Sequence, residues 1–230
     1  MTTGLTRGLT AQLTTGAPPT GVSLARTPTD VVEALRVEYD VFRELGFCAE
    51  SRRGVVEEYR KYSGQSRFHV YRVDGEAMGV LREIGPGAVR PPVFAEFDVD
   101  PLYRDLVGDP AVAEVGVLAM RPEVQGLRAA EHMYGVAWHD AYRRGIRYWG
   151  AVVEQWLLDL FTEQYHFDFR RCGTPREYMG GLCIPVVMSF AESLRSMRTN
   201  APEVYDRFVG AFPVEDRLTA EAGPRLPTEA

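Results

Sequence analysis

The stretch RPEVQGLRAAEHMYGV, Arg121–Val136, joins the apolar run AVAEVGVLAM, Ala111–Met120, to a segment with helical periodicity. Leu127, Ala130, Tyr134, Ala137 and Ala141 recur on one stripe, and Arg143, Arg144 and Gly145 supply a cationic last turn and a glycine stop. The run before it is apolar almost throughout, the pattern of a strand covered on both faces. A strand that enters a helix through a short turn leaves the first helical N–H groups unpaired at the positive end of the helix dipole, where a phosphate can bind.

Reading towards the C-terminus, IRYWGAVVE is a second buried strand, QWLLDLFTEQY a helix, and FDFRRCG and LCIPVVMSF two further strands. Towards the N-terminus, VSLAR reads as a first strand. Thr27 as N-cap, Pro28 at the first helical position and Asp30 in the first turn predict a helix over 28–45 that carries Leu35, Tyr39 and Phe42. RFHVYRV and EAMGVLREI flank Asp74-Gly75, a hairpin turn signal. VFAEFDV is expected as another strand, PLYRDLVGDP as a loop or short helix, and 50–61 shows no sure element. This order predicts an α/β fold: one mixed central sheet with helices on its faces.

With 230 residues, 45% of them hydrophobic, the chain is long enough for one sizeable core. A domain over 22–214 is expected between flexible tails at 1–21 and 215–230, both poor in core-forming residues. The net charge of −6 argues against a nucleic-acid partner. No apolar run reaches the roughly 20 residues of a membrane span and no signal segment is seen, so a cytoplasmic protein is expected. Cys48, Cys172 and Cys183 form no C-x-x-C pair, and His69, His132, His139 and His166 are scattered, so no metal is expected.

The turn RPEVQGLRAA resembles the cofactor loop of the GNAT superfamily of N-acyltransferases, whose pattern is Gln or Arg, two residues, Gly, one residue, then Gly or Ala. Gln125 and Ala130 match its ends, and Arg128 stands at the middle glycine. The resemblance implies a GNAT fold in which the strand before the loop and the strand after the helix splay apart. A pantetheine arm would enter the gap, with Gln125, Gly126, Arg128, Ala129 and Ala130 around its phosphate. EVGVLAM and WGAVV occupy the splayed positions. A side chain at 128 hinders the close backbone approach that a pyrophosphate needs. A carrier-protein pantetheine has a single phosphodiester, which Arg128 can pair by a charge-assisted bond; otherwise Arg128 is a solvated helix charge.

Within that superfamily the chain resembles the long-chain N-acyl amino acid synthases and the autoinducer (acyl-homoserine lactone) synthases. ALRVEYDVFRELGF looks like their opening helix, with Val41, Phe42, Gly46 and Phe47 matched and Glu38 where the pattern opens with arginine. Gly79 and Arg82 match a G-x-x-R hairpin. Glu114 matches the strand motif, and Val117 replaces its arginine. Near the C-terminus Asn200, Pro202, Tyr205 and Phe208 match N-P-x-x-Y-x-x-F with one inserted alanine.

The resemblance implies an N-acyltransferase that moves a fatty or other acyl group from an acyl-pantetheine donor, acyl carrier protein (ACP) before coenzyme A (CoA), to the amine of an amino acid, small amine or peptide. Glu114 is the candidate base, with pKa raised by its apolar neighbours, or else a strand-end glutamate held in a salt bridge. A backbone N–H around Leu118 to Met120 is the oxyanion donor that the resemblance implies. Tyr165 is the candidate proton donor, or a core tyrosine. Phe42, Phe47 and Arg82 are the candidate acceptor and acyl contacts. Arg121, Arg128, Arg143, Arg144 and Arg147 form either a docking face for an acidic carrier protein or a solvated face. The alternatives are a CoA-dependent small-amine acetyltransferase, an acyl-homoserine lactone synthase, and a non-catalytic acyl-carrier binding module.

Overall fold

A computed structural model describes residues 20–124, 126–210 and 212–228 of the chain. Gln125 and the tail at 1–19 lie outside these residues. Strand β1 (Gly21–Leu24) leads into helix α1 (Pro28–Glu44). The helix starts where its residues dictate: the Thr27 side chain accepts from the Asp30 N–H, and Asp30 reaches back to the Thr27 N–H, a capping box reinforced by Pro28. The polar stretch after α1 ends in a 3-10 segment (Glu57–Gln65) that sequence periodicity does not reveal. The hairpin β2 (Ser66–Val73) and β3 (Glu76–Ile84) turns at Asp74 and Gly75, whose φ values of 49° and 88° are those of a type I′ turn.

VFAEFDV is a helical turn, α2 (Pro92–Ala95), and not the expected strand. Pro91 and Pro92 withhold two ladder donors and place the second proline at the helix start, which favours a turn over a strand. A 3-10 turn (Pro101–Leu106) follows, then β4 (Val112–Met120), α3 (Leu127–Arg143), β5 (Tyr148–Glu154), and α4 (Gln155–Asp159), which runs into one π-helical turn (Leu160–Gln164). The chain ends with β6 (Arg170–Arg171), β7 (Arg176–Tyr178), β8 (Gly181–Ser189), α5 (Phe190–Asn200), α6 (Pro202–Val209) and α7 (Val214–Glu221).

The sheet order is β1-β2-β3-β4-β5-β8-β6, with β7 also on β8. Every pairing is antiparallel except β4 with β5, which the crossover helix α3 makes parallel. One face packs Ala34, Val37 and Val41 of α1 against Val70, Val80, Val117 and Ala119. The other packs Met133, Ala137 and Trp138 of α3 with Trp149, Phe190, Leu194 and Phe208.

The stretch 215–228 is not the flexible tail that its composition suggests. Ala220 and Leu226 are buried, the Ser189 hydroxyl donates to Pro224 O at 2.6 Å, and the Leu226 N–H donates to Glu192 Oε2 at 2.7 Å. A few well-placed apolar residues suffice to dock a segment when α5 offers it partners.

Candidate active site

β4 and β5 pair over only three residues, Val112 with Tyr148, Ala113 with Trp149 and Glu114 with Gly150. Beyond Glu114 β4 continues to Met120 and β5 to Glu154 without facing residues, so the two strands part in a V. Along the gap the inward backbone N–H and C=O groups of β4 meet no neighbouring strand among the described residues.

The gap opens into an apolar cavity of about 260 Å³ walled by Val115–Leu118 of β4 and Ala151–Glu154 of β5. Phe42 and Phe47 close it on the α1 side, packed edge to face at 5.6 Å. Tyr134 of α3 and Phe161 of the π-helical turn close it on the other, at 5.5 Å. Tyr59, Tyr178 and Cys183 complete the polar part of the wall.

β4 carries a bulge at Gly116: Arg82 faces Val117 and Glu83 faces Val115, so Gly116 has no β3 partner. A one-residue slip exchanges the faces of a strand. Hence Ala113 packs with the α3 core before the bulge, whereas Val117 and Ala119 pack on α1 after it. Space there is tight, since a Cβ would meet Ile84 Cδ1 at 3.1 Å and the Ile84 side chain would have to give by a few tenths of an ångström. The Tyr59 hydroxyl donates to the bulged Gly116 carbonyl at 2.9 Å.

Glu114 is the last β4 residue paired with β5, so its carboxyl stands at the apex of the V. It is fully buried. Oε2 accepts the Val93 N–H of α2 at 2.7 Å, and Oε1 has no partner among the described residues. Burial pushes its pKa up to about 8 against the opposing pull of that hydrogen bond. The carboxyl is not on the cavity wall; Tyr59 and Tyr178, which are, feel its charge.

Of the other residues singled out in the sequence, Phe42, Phe47 and Leu118 line the cavity. Met120, paired with Gly79 at the end of β4, packs in the α3 core away from it. Tyr165 is also off the wall: it is buried against Phe161 and Phe167, burial holds its pKa near 12, and its hydroxyl has no partner among the described residues. Arg82 is not free to bind a substrate in the wedge. It is buried in an ion pair with Glu38 of α1 at 2.9 Å, donates to Tyr59 O at 3.1 Å, and lies over the rings of Tyr59 and Phe68.

Gly126 is the N-cap residue of α3 and, with Arg128, is exposed. Among the described residues no side chain caps this helix start, and first-turn N–H groups left so, flanked by Ala129 and Ala130, suit an anion. Gln125 lies outside the described residues. The basic cluster is largely committed: Arg121 pairs with Asp40, Arg144 with Asp140 and Glu83, and Arg147 donates to two backbone carbonyls. Arg128 and Arg143 remain exposed. Among the described residues no cluster of His, Cys, Asp and Glu side chains is placed to hold a metal ion, and no helix is long and apolar enough to cross a membrane.

Tyr59, Tyr134 and Tyr178 are the wall tyrosines, and sequence reasoning missed all of them as site residues. Tyr59 sits in the stretch that carried no motif, and Tyr134 reads from its periodicity as ordinary core. Only the split of the sheet brings them to one space.

The sequence matches no protein-family model and none of the curated proteins. Solved structures do match by shape. FeeM, an N-acyl amino acid synthase from uncultured soil microbes, aligns over 78% of this chain and 95% of its own, with TM-score 0.61 and 16% identity. The acyl-homoserine lactone synthase LasI aligns over 74% and 90%, with TM-score 0.59 and 11% identity. The CoA-dependent acyl-homoserine lactone synthase BjaI, solved with SAM and isopentyl-CoA, aligns over 85% and 93%, with TM-score 0.58 and 15% identity. The split sheet and these likenesses together give the chain the fold of the GNAT-type N-acyltransferases.

Proposed function

We propose that the chain is an N-acyltransferase that moves a fatty or other acyl group from a pantetheine thioester to the amino group of an amino acid, amine or peptide. The observation that carries this reading is the parting of β4 from β5 after three residue pairs, with an apolar cavity between them and the start of α3, which no side chain among the described residues caps. An extended amide-bearing arm can hydrogen-bond to the open strand edges while its phosphate meets the first turn of α3. The apolar walls suit an acyl chain.

In this reading the amine nitrogen attacks the thioester carbonyl carbon, and Glu114 accepts the nitrogen's proton through a water at the apex. A β4 backbone N–H between Leu118 and Met120 donates to the oxyanion. Exposed Arg128 favours the single phosphodiester of a carrier protein over the pyrophosphate of CoA.

The test is thiol release and product mass when the purified chain is given acyl-ACP or acyl-CoA with mixed amino acids. An amide product, formed faster from acyl-ACP, is expected; tight thioester binding without thiol release would replace the enzyme by a binding module. Ala151→Trp fills the wedge from β5. It should slow long-chain transfer about 10²-fold by displacing the thioester, at a stability cost of about 1–3 kcal/mol read by urea unfolding.

A further inference from the structure

Aminolysis of a thioester ends with an electron pair on sulfur, and an alkyl thiolate leaves more readily if a proton meets it. Tyr59, Tyr134, Tyr178 and Cys183 are the wall residues with an O–H or S–H to give. Tyr59 spends its proton on the Gly116 carbonyl, and the Cys183 thiol donates to Tyr178 O at 3.5 Å. Tyr178 sits on the far side, on β7, edge to face with Phe97. Tyr134 is on α3 itself, eight residues beyond Gly126, about 12 Å along the axis at 1.5 Å per residue. It therefore lies below the helix start, on the path of an arm whose phosphate is held there.

We infer that Tyr134 is the proton donor to the leaving thiolate of the proposed acyl transfer. The inference rests on the acyltransferase reading and deepens it. The ring is fixed for the task, edge to face with Phe161 at 5.5 Å and tilted against Trp149 at 6.4 Å. The residue is buried and lies on the cavity wall. Burial, and next the nearby Tyr165, push its pKa up, so the hydroxyl stays protonated at neutral pH. In the step the C–N bond forms and the C–S bond breaks, with its electron pair passing to sulfur. The Tyr134 O–H proton goes to that sulfur. Glu114 holds the proton lost by nitrogen and gives it to solvent, and the Tyr134 phenolate regains one from solvent, so one proton has moved from nitrogen to sulfur.

Tyr134→Phe keeps the ring and removes the proton. Each protein is assayed with the same acyl group on two leaving groups: ACP, whose pantetheine is an alkyl thiol, and an aryl thiol, whose thiolate needs no protonation. The variant should lose about 10²-fold in kcat against wild type with acyl-ACP, with KM unchanged, and less than about threefold with the aryl thioester. An equal loss on both donors would assign Tyr134 to packing alone, and no loss on either would remove it from the reaction. Wild-type protein inert towards both donors would overturn the acyltransferase reading and this assignment with it, whereas active wild type with an unaffected variant overturns the assignment only.

Discussion

Glu114→Gln is expected to reduce acyl transfer by about 10²–10⁴-fold while the protein stays folded. The amide keeps an oxygen to accept the Val93 N–H, so the bond from α2 survives, and it is close in volume to the carboxyl. What disappears is a base. With a pKa near 8 the carboxyl is mostly protonated at pH 7, so wild-type kcat/KM should climb about tenfold per unit towards pH 8 and then level off. The variant should lose that limb. Stability runs the other way. The folded pKa is raised above the unfolded value near 4.5, so the folded form holds more protons than the unfolded between them. Its contribution is fully present below 4.5 and is lost as pH rises through about 8. Glu114→Gln should therefore gain on wild type in urea unfolding as pH is raised, by at most about 4–5 kcal/mol. A variant equally active at every pH would remove Glu114 from the chemistry. A variant that is inactive but shows no stability gain at high pH would mean that burial does not raise the carboxyl's pKa, while leaving its catalytic role in place.

The features that could be read from the chain are those set by local chemistry. Thr27, Pro28 and Asp30 start α1 because capping needs only residues three apart. Asp74-Gly75 makes the hairpin because both must take positive φ. The split of β4 from β5 was expected from the resemblance of Gln125–Ala130 and its flanking strands to a known loop, not from periodicity. The Gly116 bulge was out of reach, because the run AVAEVGVLAM is apolar on either parity and hides the slip. The packing of 215–228 was hidden for a related reason: sparse apolar residues reveal nothing until their partners are known. Glu38 is the instructive case. Where the resembling pattern opens with arginine this chain has a carboxylate, and the structure pairs it with Arg82, which the sequence assigned to a substrate. The local motif failed there because the pair joins residues 44 apart in sequence.

That pair should yield the largest loss of stability when it is broken from one side and little when it is removed whole. Glu38 and Arg82 are 0% and 1% exposed, with N–O separation 2.9 Å. Burial pushes the Glu38 pKa up to about 7 despite the pull of Arg82, and lowers that of Arg82, so desolvation costs more than the partners return. Glu38→Leu leaves a buried guanidinium with only Tyr59 O and two ring faces, and should cost about 3–5 kcal/mol, a large share of the 5–15 kcal/mol typical of a folded domain. Combining it with Arg82→Met removes both charges and fills the space, and should restore stability to within about 1–2 kcal/mol of wild type. Urea unfolding of the four proteins gives the coupling directly; losses that simply add would mean the two charges act alone. The pH dependence is a second check. Wild type should lose more stability than the double variant as pH rises through about 7, because only its folded form holds the Glu38 proton longer, while the Glu114 contribution is common to both. Activity should not follow stability. Arg82 also holds the Tyr59 carbonyl, and the Tyr59 hydroxyl holds the Gly116 bulge on the cavity wall. A double variant that is stable yet slow in acyl transfer would trace a line from α1 through β3 to the shape of the gap. Full activity would confine the pair to stability.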